Sequence, residues 1–97
     1  MAYSVKILKR ATNDLDEILN NMATQYPGTA SRFINDLERV LANIAENPKL
    51  YQVYSSNPQY HRAIISDYLL FYRIFEESKN VRVYRVLHGK RDIKTLL

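Results

Sequence analysis

Cysteine and tryptophan are absent from this chain of 97 residues, glycine occurs twice and proline three times. Without cysteine there is no disulfide and no thiolate to hold a metal, a composition that suits a reducing cytosol. The scarce prolines and glycines act as punctuation and not as linker, and no repeat or low-complexity tract is visible. Apolar runs fall far short of the ~18 residues of a membrane span. The start, Met1-Ala2-Tyr3-Ser4-Val5-Lys6, has no apolar segment behind a basic region, so no signal peptide is expected. These absences predict one domain over residues 1–97, located in the cytoplasm and away from membranes. A chain of this length buries roughly 60–65% of the surface that its unfolded form exposes, enough for one modest core.

Charge is present but unevenly placed. The whole chain carries +4. Residues 1–48 hold five Lys/Arg against six Asp/Glu, a net of −1, whereas residues 49–97 hold nine against four, a net of +5. The second half also has six of the eight tyrosines. Basic residues interleaved with aromatics suit nucleic acid. They equally suit an acidic protein partner, or simply a solvated face with tyrosines half in the core.

Hydropathy patterning divides the chain into six elements. Tyr3–Leu8 alternates as a short strand. Ala11, Leu15, Ile18, Leu19, Met22, Ala23 and Tyr26 recur at helical spacing, and Pro27-Gly28 ends that helix. Asp14, Asp16 and Glu17 fall near its start, where the helix dipole favours anions. Thr29 is a candidate cap for a second helix to about Asn47, with Ala30, Phe33, Ile34, Leu37, Val40, Leu41, Ile44 and Ala45 as its stripe and Pro48 as its stop. A loop over 49–59 leads to strands at about Tyr60–Ile65, Tyr68–Phe75 and Val81–Leu87. Ser66-Asp67 is short enough for a tight hairpin but lacks the glycine that such turns prefer. The order β-α-α-β-β-β predicts an α+β fold, with a helical hairpin packed on one face of a mostly antiparallel four-stranded sheet. The other face would be partly open, lined by Arg62, Tyr84 or His88. Both faces of Tyr68–Phe75 are apolar, so the inward parity is undecided.

The last strand runs directly into His88-Gly89-Lys90-Arg91-Asp92. Gly89 permits a backbone angle that other residues avoid, so a sharp turn is expected there. Lys90 and Arg91 then project from an anchored turn, an arrangement suited to phosphates or carboxylates. His88 is a candidate acid or base, or a structural residue whose ring bonds the backbone at the strand end. Arg91-Asp92 reads either as a target-binding pair or as an internal ion pair. Arg73 and Arg85, in mid-strand, snorkel or pair with Glu76 or Asp67; Tyr72 reads as core before stacking platform. Arg62, opening a strand after a loop, is the better exposed candidate. His61 and His88, 27 residues apart and without cysteine, make a poor metal-ligand set, so neither metal nor cofactor is implied.

Several of these motifs, in this order, resemble the ParE/RelE superfamily of toxins from bacterial type II toxin–antitoxin modules. They are Ala11-x-x-Asp14-Leu15-x-x-Ile18, Ala30-x-x-Phe33-x-x-x-Leu37 with Ile44 and Pro48, Arg62, Phe71-Tyr72-Arg73, and Val86-x-His88-Gly89-Lys90-Arg91-Asp92. The last is the most specific. The resemblance implies a cytoplasmic toxin of a plasmid-stabilisation or addiction system, neutralised by an acidic, partly disordered antitoxin; a homodimer is left open. ParE-like members act on DNA gyrase, and RelE-like members cut mRNA in the ribosomal A site. RelE-type nucleases place lysines where this chain has His61 and Ala63, and an arginine where it has Leu69. They also carry a C-terminal tyrosine, whereas none follows Tyr84 here. Metal-free RNA cleavage needs transition-state charge neutralised, which Leu69 serves poorly. The favoured expectation is therefore a gyrase inhibitor that acts by binding through Arg62, His88, Lys90 and Arg91, with no catalytic residues assigned. The alternative is a ribosome-dependent endoribonuclease using His61, His88 and Arg91.

Overall fold

A computed structural model describes residues 2–25 and 28–97. In chain order these form β1 (Ser4–Ile7), α1 (Lys9–Gln25), α2 (Thr29–Glu46), β2 (His61–Ile65), β3 (Tyr68–Phe75), β4 (Asn80–His88) and a short α3 (Ile93–Leu96). The strands lie in the order β1-β4-β3-β2, with β1 parallel to β4 and the other pairs antiparallel. The expected β-α-α-β-β-β architecture is therefore present, with α3 as an added element. Tyr26 and Pro27, expected to end α1, lie outside the described residues.

Apolar periodicity explains the helices. α1 buries Ala11, Leu15 and Ile18, and α2 buries Phe33, Leu37, Val40 and Ile44. Both stripes pack on one sheet face against Ala63, Ile65, Leu70, Tyr72, Val81, Val83 and Val86. Each such large side chain contributes ~1.5–3 kcal/mol relative to exposure, much of it offset by ordering entropy. α2 does not use Thr29 as its cap: Gly28 holds that position at φ 94°, with no side-chain cap bond, and Thr29 is the first helical residue. The left-handed angle suits a residue without Cβ.

The opposite sheet face is less open than the sequence suggests. α3 and the C-terminus lay Ile93, Leu96 and Leu97 over Phe71, Leu87, Leu69, Tyr60 and Tyr84, making a second small core. Both faces of β3 are therefore covered along its middle, which accounts for its apolar run up to Tyr72, before Arg73. Opposite Phe71 the ladder slips by one: Phe71 pairs with Arg85 but Tyr72 with Val83, so Tyr84 is the extra residue of a β-bulge.

Tyr72 is a core residue. It is fully buried and donates its hydroxyl to Pro48 O at 2.6 Å, fixing the chain as it leaves α2. Burial pushes its pKa up, with the Tyr51 backbone acting more weakly in the other direction. The folded state thus keeps a proton that the unfolded chain releases near the ordinary value of 10.0. Stability should be level below that pH and fall above it. One pH unit above 10.0, the wild type should have lost about 1.4 kcal/mol that Tyr72→Phe retains. At neutral pH the same variant should be less stable by about 1 kcal/mol, through loss of the Pro48 bond. Urea midpoints at the two pH values measure both effects.

Candidate target-binding site

The strand end carrying the cationic turn is held by backbone bonds. Gly89 donates its N–H to Asp67 O (2.9 Å), tying the turn to the β2–β3 hairpin, and Arg91 donates to His88 O (2.9 Å). His88 Nδ1 accepts the N–H of Lys90 at 3.1 Å, and the His88 ring meets Tyr68 edge-on. This is the structural role among the two considered for His88: its ring shapes the turn. Lys90 and Arg91 are exposed at the tip.

Gly89 is not in the left-handed region, contrary to the expectation from sequence, and a Cβ there would meet only Asp67 O at an ordinary 3.5 Å. The demand for glycine falls on the neighbouring hairpin turn, where Ser66 takes φ 55°. Gly89→Ala should change stability by less than about 1 kcal/mol. Ser66→Gly should raise it by about 1 kcal/mol, by relieving the left-handed strain. Paired denaturant titrations test the contrast.

Behind the turn, Arg85 joins three elements. Its Nε and Nη2 donate to Asp14 on α1 at 2.8 and 3.0 Å, and its Nη1 donates to Leu96 O on α3 at 2.8 Å. Asp14 also accepts the N–H of Val86 at 3.0 Å. β1 pairs with β4 only as far as Val83, so this carboxylate serves the β4 edge that β1 leaves uncovered. The hydrogen bonds to Asp14 are the main reason that the Arg85 pKa is raised. Asp14 thus lies in the second turn of α1 and not at its dipole end, and Arg85 pairs with neither Glu76 nor Asp67. Asp92 is engaged by the Thr95 hydroxyl (2.7 Å), and no Arg91–Asp92 ion pair forms among the described residues.

The expected binding set divides in two. His88 and Arg91 stand together, beside Asp14, Glu17, Asn21 and Tyr68 in a shallow cleft between α1 and the end of β4, and Lys90 is exposed on the turn between them. Arg62 stands apart on β2, three residues down the ladder and two strands across, so roughly 10 Å away along each direction. It also points to the other face. The Arg62 guanidinium reaches Gln52 Oε1 only at 3.4 Å, and its buried Nε finds no partner among the described residues. It is half-buried and not the open cation expected.

His61 and His88 are not brought together either. His61 pairs with Tyr72 and His88 with Tyr68, four residues apart on β3, so roughly 13 Å separates them along the strands alone. His61 is stacked on Tyr72, with Nδ1 2.9 Å from Tyr51 O.

The family model for the ParE toxin of the type II toxin–antitoxin system parDE matches residues 5–93. The chain belongs to this family. Solved structures share its fold. A chain of the chromosomal ParDE system of P. aeruginosa is 16% identical, with a TM-score of 0.74, and the match covers 90% of this chain and 96% of that one. The isolated E. coli RelE toxin is 20% identical, with a TM-score of 0.67, covering 99% and 100%. The RelBE2 complex of Mycobacterium tuberculosis contributes a match at 21% identity and a TM-score of 0.65, covering 91% and 99%. No curated protein matches the sequence at a significant level. In this ParE-family toxin the last matched residue, Ile93, is the first of α3, so Arg85, Asp14 and the cationic turn fall within the family's span, and Leu96 lies just beyond it.

Proposed function

We propose that this ParE-family toxin inhibits DNA gyrase by binding it, in the state where DNA is cleaved, with Lys90 and Arg91 as the principal contacts. The carrying observation is that two exposed cations sit on a turn braced by Gly89–Asp67 and by the His88 ring, with the Arg85 clamp behind it. The backbone of the turn is already ordered, so docking costs the entropy of the two side chains and not that of the loop. Trapping a target needs no acid–base pair. The nuclease alternative does need one, and its two histidines are far apart and each already bonded to the backbone.

The partner that restrains the toxin is an acidic antitoxin, encoded beside it in a plasmid-stabilisation or addiction module and folding on contact. Similar structures support this: the E. coli RelBE and Pyrococcus horikoshii RelE–RelB chains were solved as complexes. The site of action is the cytoplasm, and a homodimer of the free toxin would be a further state of the same domain.

The test is a supercoiling assay with purified toxin and gyrase. Lost supercoiling, with cleaved DNA trapped on the enzyme, is the expected result. Unchanged supercoiling at micromolar toxin, accompanied by codon-positioned cuts in a translated message, would replace the proposal with the nuclease reading.

A further inference from the structure

The half of the outer sheet face that α3 leaves uncovered carries a row of cations that the turn site does not use. In the ladder Lys6 on β1 stands directly beside Arg82 on β4, and Arg82 directly beside Arg73 on β3. Adjacent strands are ~4.8 Å apart, so three positive side chains stand abreast across roughly 10 Å. Like charges placed opposite each other across strands are destabilising. Carboxylates do not relieve them: among the described residues the ion pairs are Arg39–Asp36 and Arg85–Asp14. Glu76, in the adjoining turn, is engaged by the Tyr3 hydroxyl at 3.2 Å.

Aromatic rings hold the two guanidiniums instead. Arg82 lies 4.5 Å from the Phe75 ring centroid, and Arg73 lies 5.2 Å from Phe75 and 5.8 Å from Tyr84. Such stacking fixes guanidinium position while leaving N–H groups for an outside acceptor. An anion between the two arginines would remove their mutual repulsion and fill those donors. A run of anions spaced along a chain would engage Lys6 as well.

We infer that Lys6, Arg82 and Arg73 form a second binding surface, which takes the phosphodiester backbone of a nucleic acid. Backbone contact is favoured over base stacking because the rings that a base would need are already occupied by the arginines. Recognition is therefore sequence-independent and strongly salt-dependent. The row lies roughly 16 Å along β3 from the His88 end, so a toxin docked through Lys90 and Arg91 keeps it free. The inference does not rest on the gyrase proposal, since its test contains no gyrase.

The test measures fluorescence anisotropy of a short labelled DNA duplex against the full chain over about 50 to 200 mM salt. In the double variant Arg73→Gln, Arg82→Gln, the slope of log affinity against log salt should be shallower by about 2, and affinity at low salt lower by about tenfold or more. Lys6→Gln should remove about 1 from the slope. The conservative pair Arg73→Lys, Arg82→Lys should keep the wild-type slope, which a merely structural role for the arginines would not predict. The pair Arg32→Gln, Lys49→Gln, both exposed and in neither proposed surface, removes the same charge elsewhere and should also keep it. An RNA of equal length, run in parallel, distinguishes the sources of phosphate, and tighter binding to either one supports the site. Three results would overturn it: no wild-type binding to DNA or RNA, binding of polyglutamate in their place, or an equal loss from the Arg32/Lys49 pair.

Discussion

Asp14→Ala should destabilise the protein by about 3–5 kcal/mol, the largest effect expected of any single charged residue here. The Arg85–Asp14 pair is largely withdrawn from solvent, with side-chain exposures of 12% and 14%. Removing the carboxylate strands a guanidinium that keeps only the Leu96 carbonyl, and orphans the Val86 N–H at an uncovered strand edge. A domain of this size shifts by about 4–8 °C per kcal/mol, so the melting temperature should drop by roughly 12–40 °C. Asp14→Asn, which still accepts hydrogen bonds, should lose distinctly less. Asp16→Ala, two residues away and exposed, should stay within about 0.5 kcal/mol. Urea titrations of the three variants measure this, and equal midpoints for Asp14→Ala and Asp16→Ala would show that the clamp contributes nothing.

The second large effect concerns function. Lys90→Ala combined with Arg91→Ala should raise the toxin concentration that half-inhibits supercoiling by about 10²-fold. This corresponds to two charge-assisted contacts of about 1.5 kcal/mol each. Both side chains are exposed, and neither forms an ion pair among the described residues, so thermal stability should hardly change. Arg62→Ala, on the other face, should lose less than about tenfold, although Gln52 loses a partner. Full potency in the double variant, with gyrase still inhibited by the wild type, would move the contact surface elsewhere.

How much of this was legible differs residue by residue. β3 has the boundaries that its sequence predicts, and α2 differs by about a residue at its end, because a stripe or an alternation is written within one local window. Asp14 was legible as an acid on a helix but not as the partner of Arg85, which lies 71 positions away. α3 was missed altogether: four residues are too few for a periodic signal, and they are held by packing on Phe71 and Leu87. Arg62 and His88 looked like neighbours in one groove because both begin or end a strand, yet the pleat puts them on opposite faces.

The amino-acid order alone determined the sequence of elements from β1 to β4, the core stripes of both helices, the concentration of positive charge in the second half, and the family. Folding decided which cations meet. A single extra residue at Tyr84 shifts the β3–β4 register by one, and that shift sets Arg82 opposite Arg73. Local patterns repeat within a few residues and can be read in place. A register exists only once two distant segments have closed on each other.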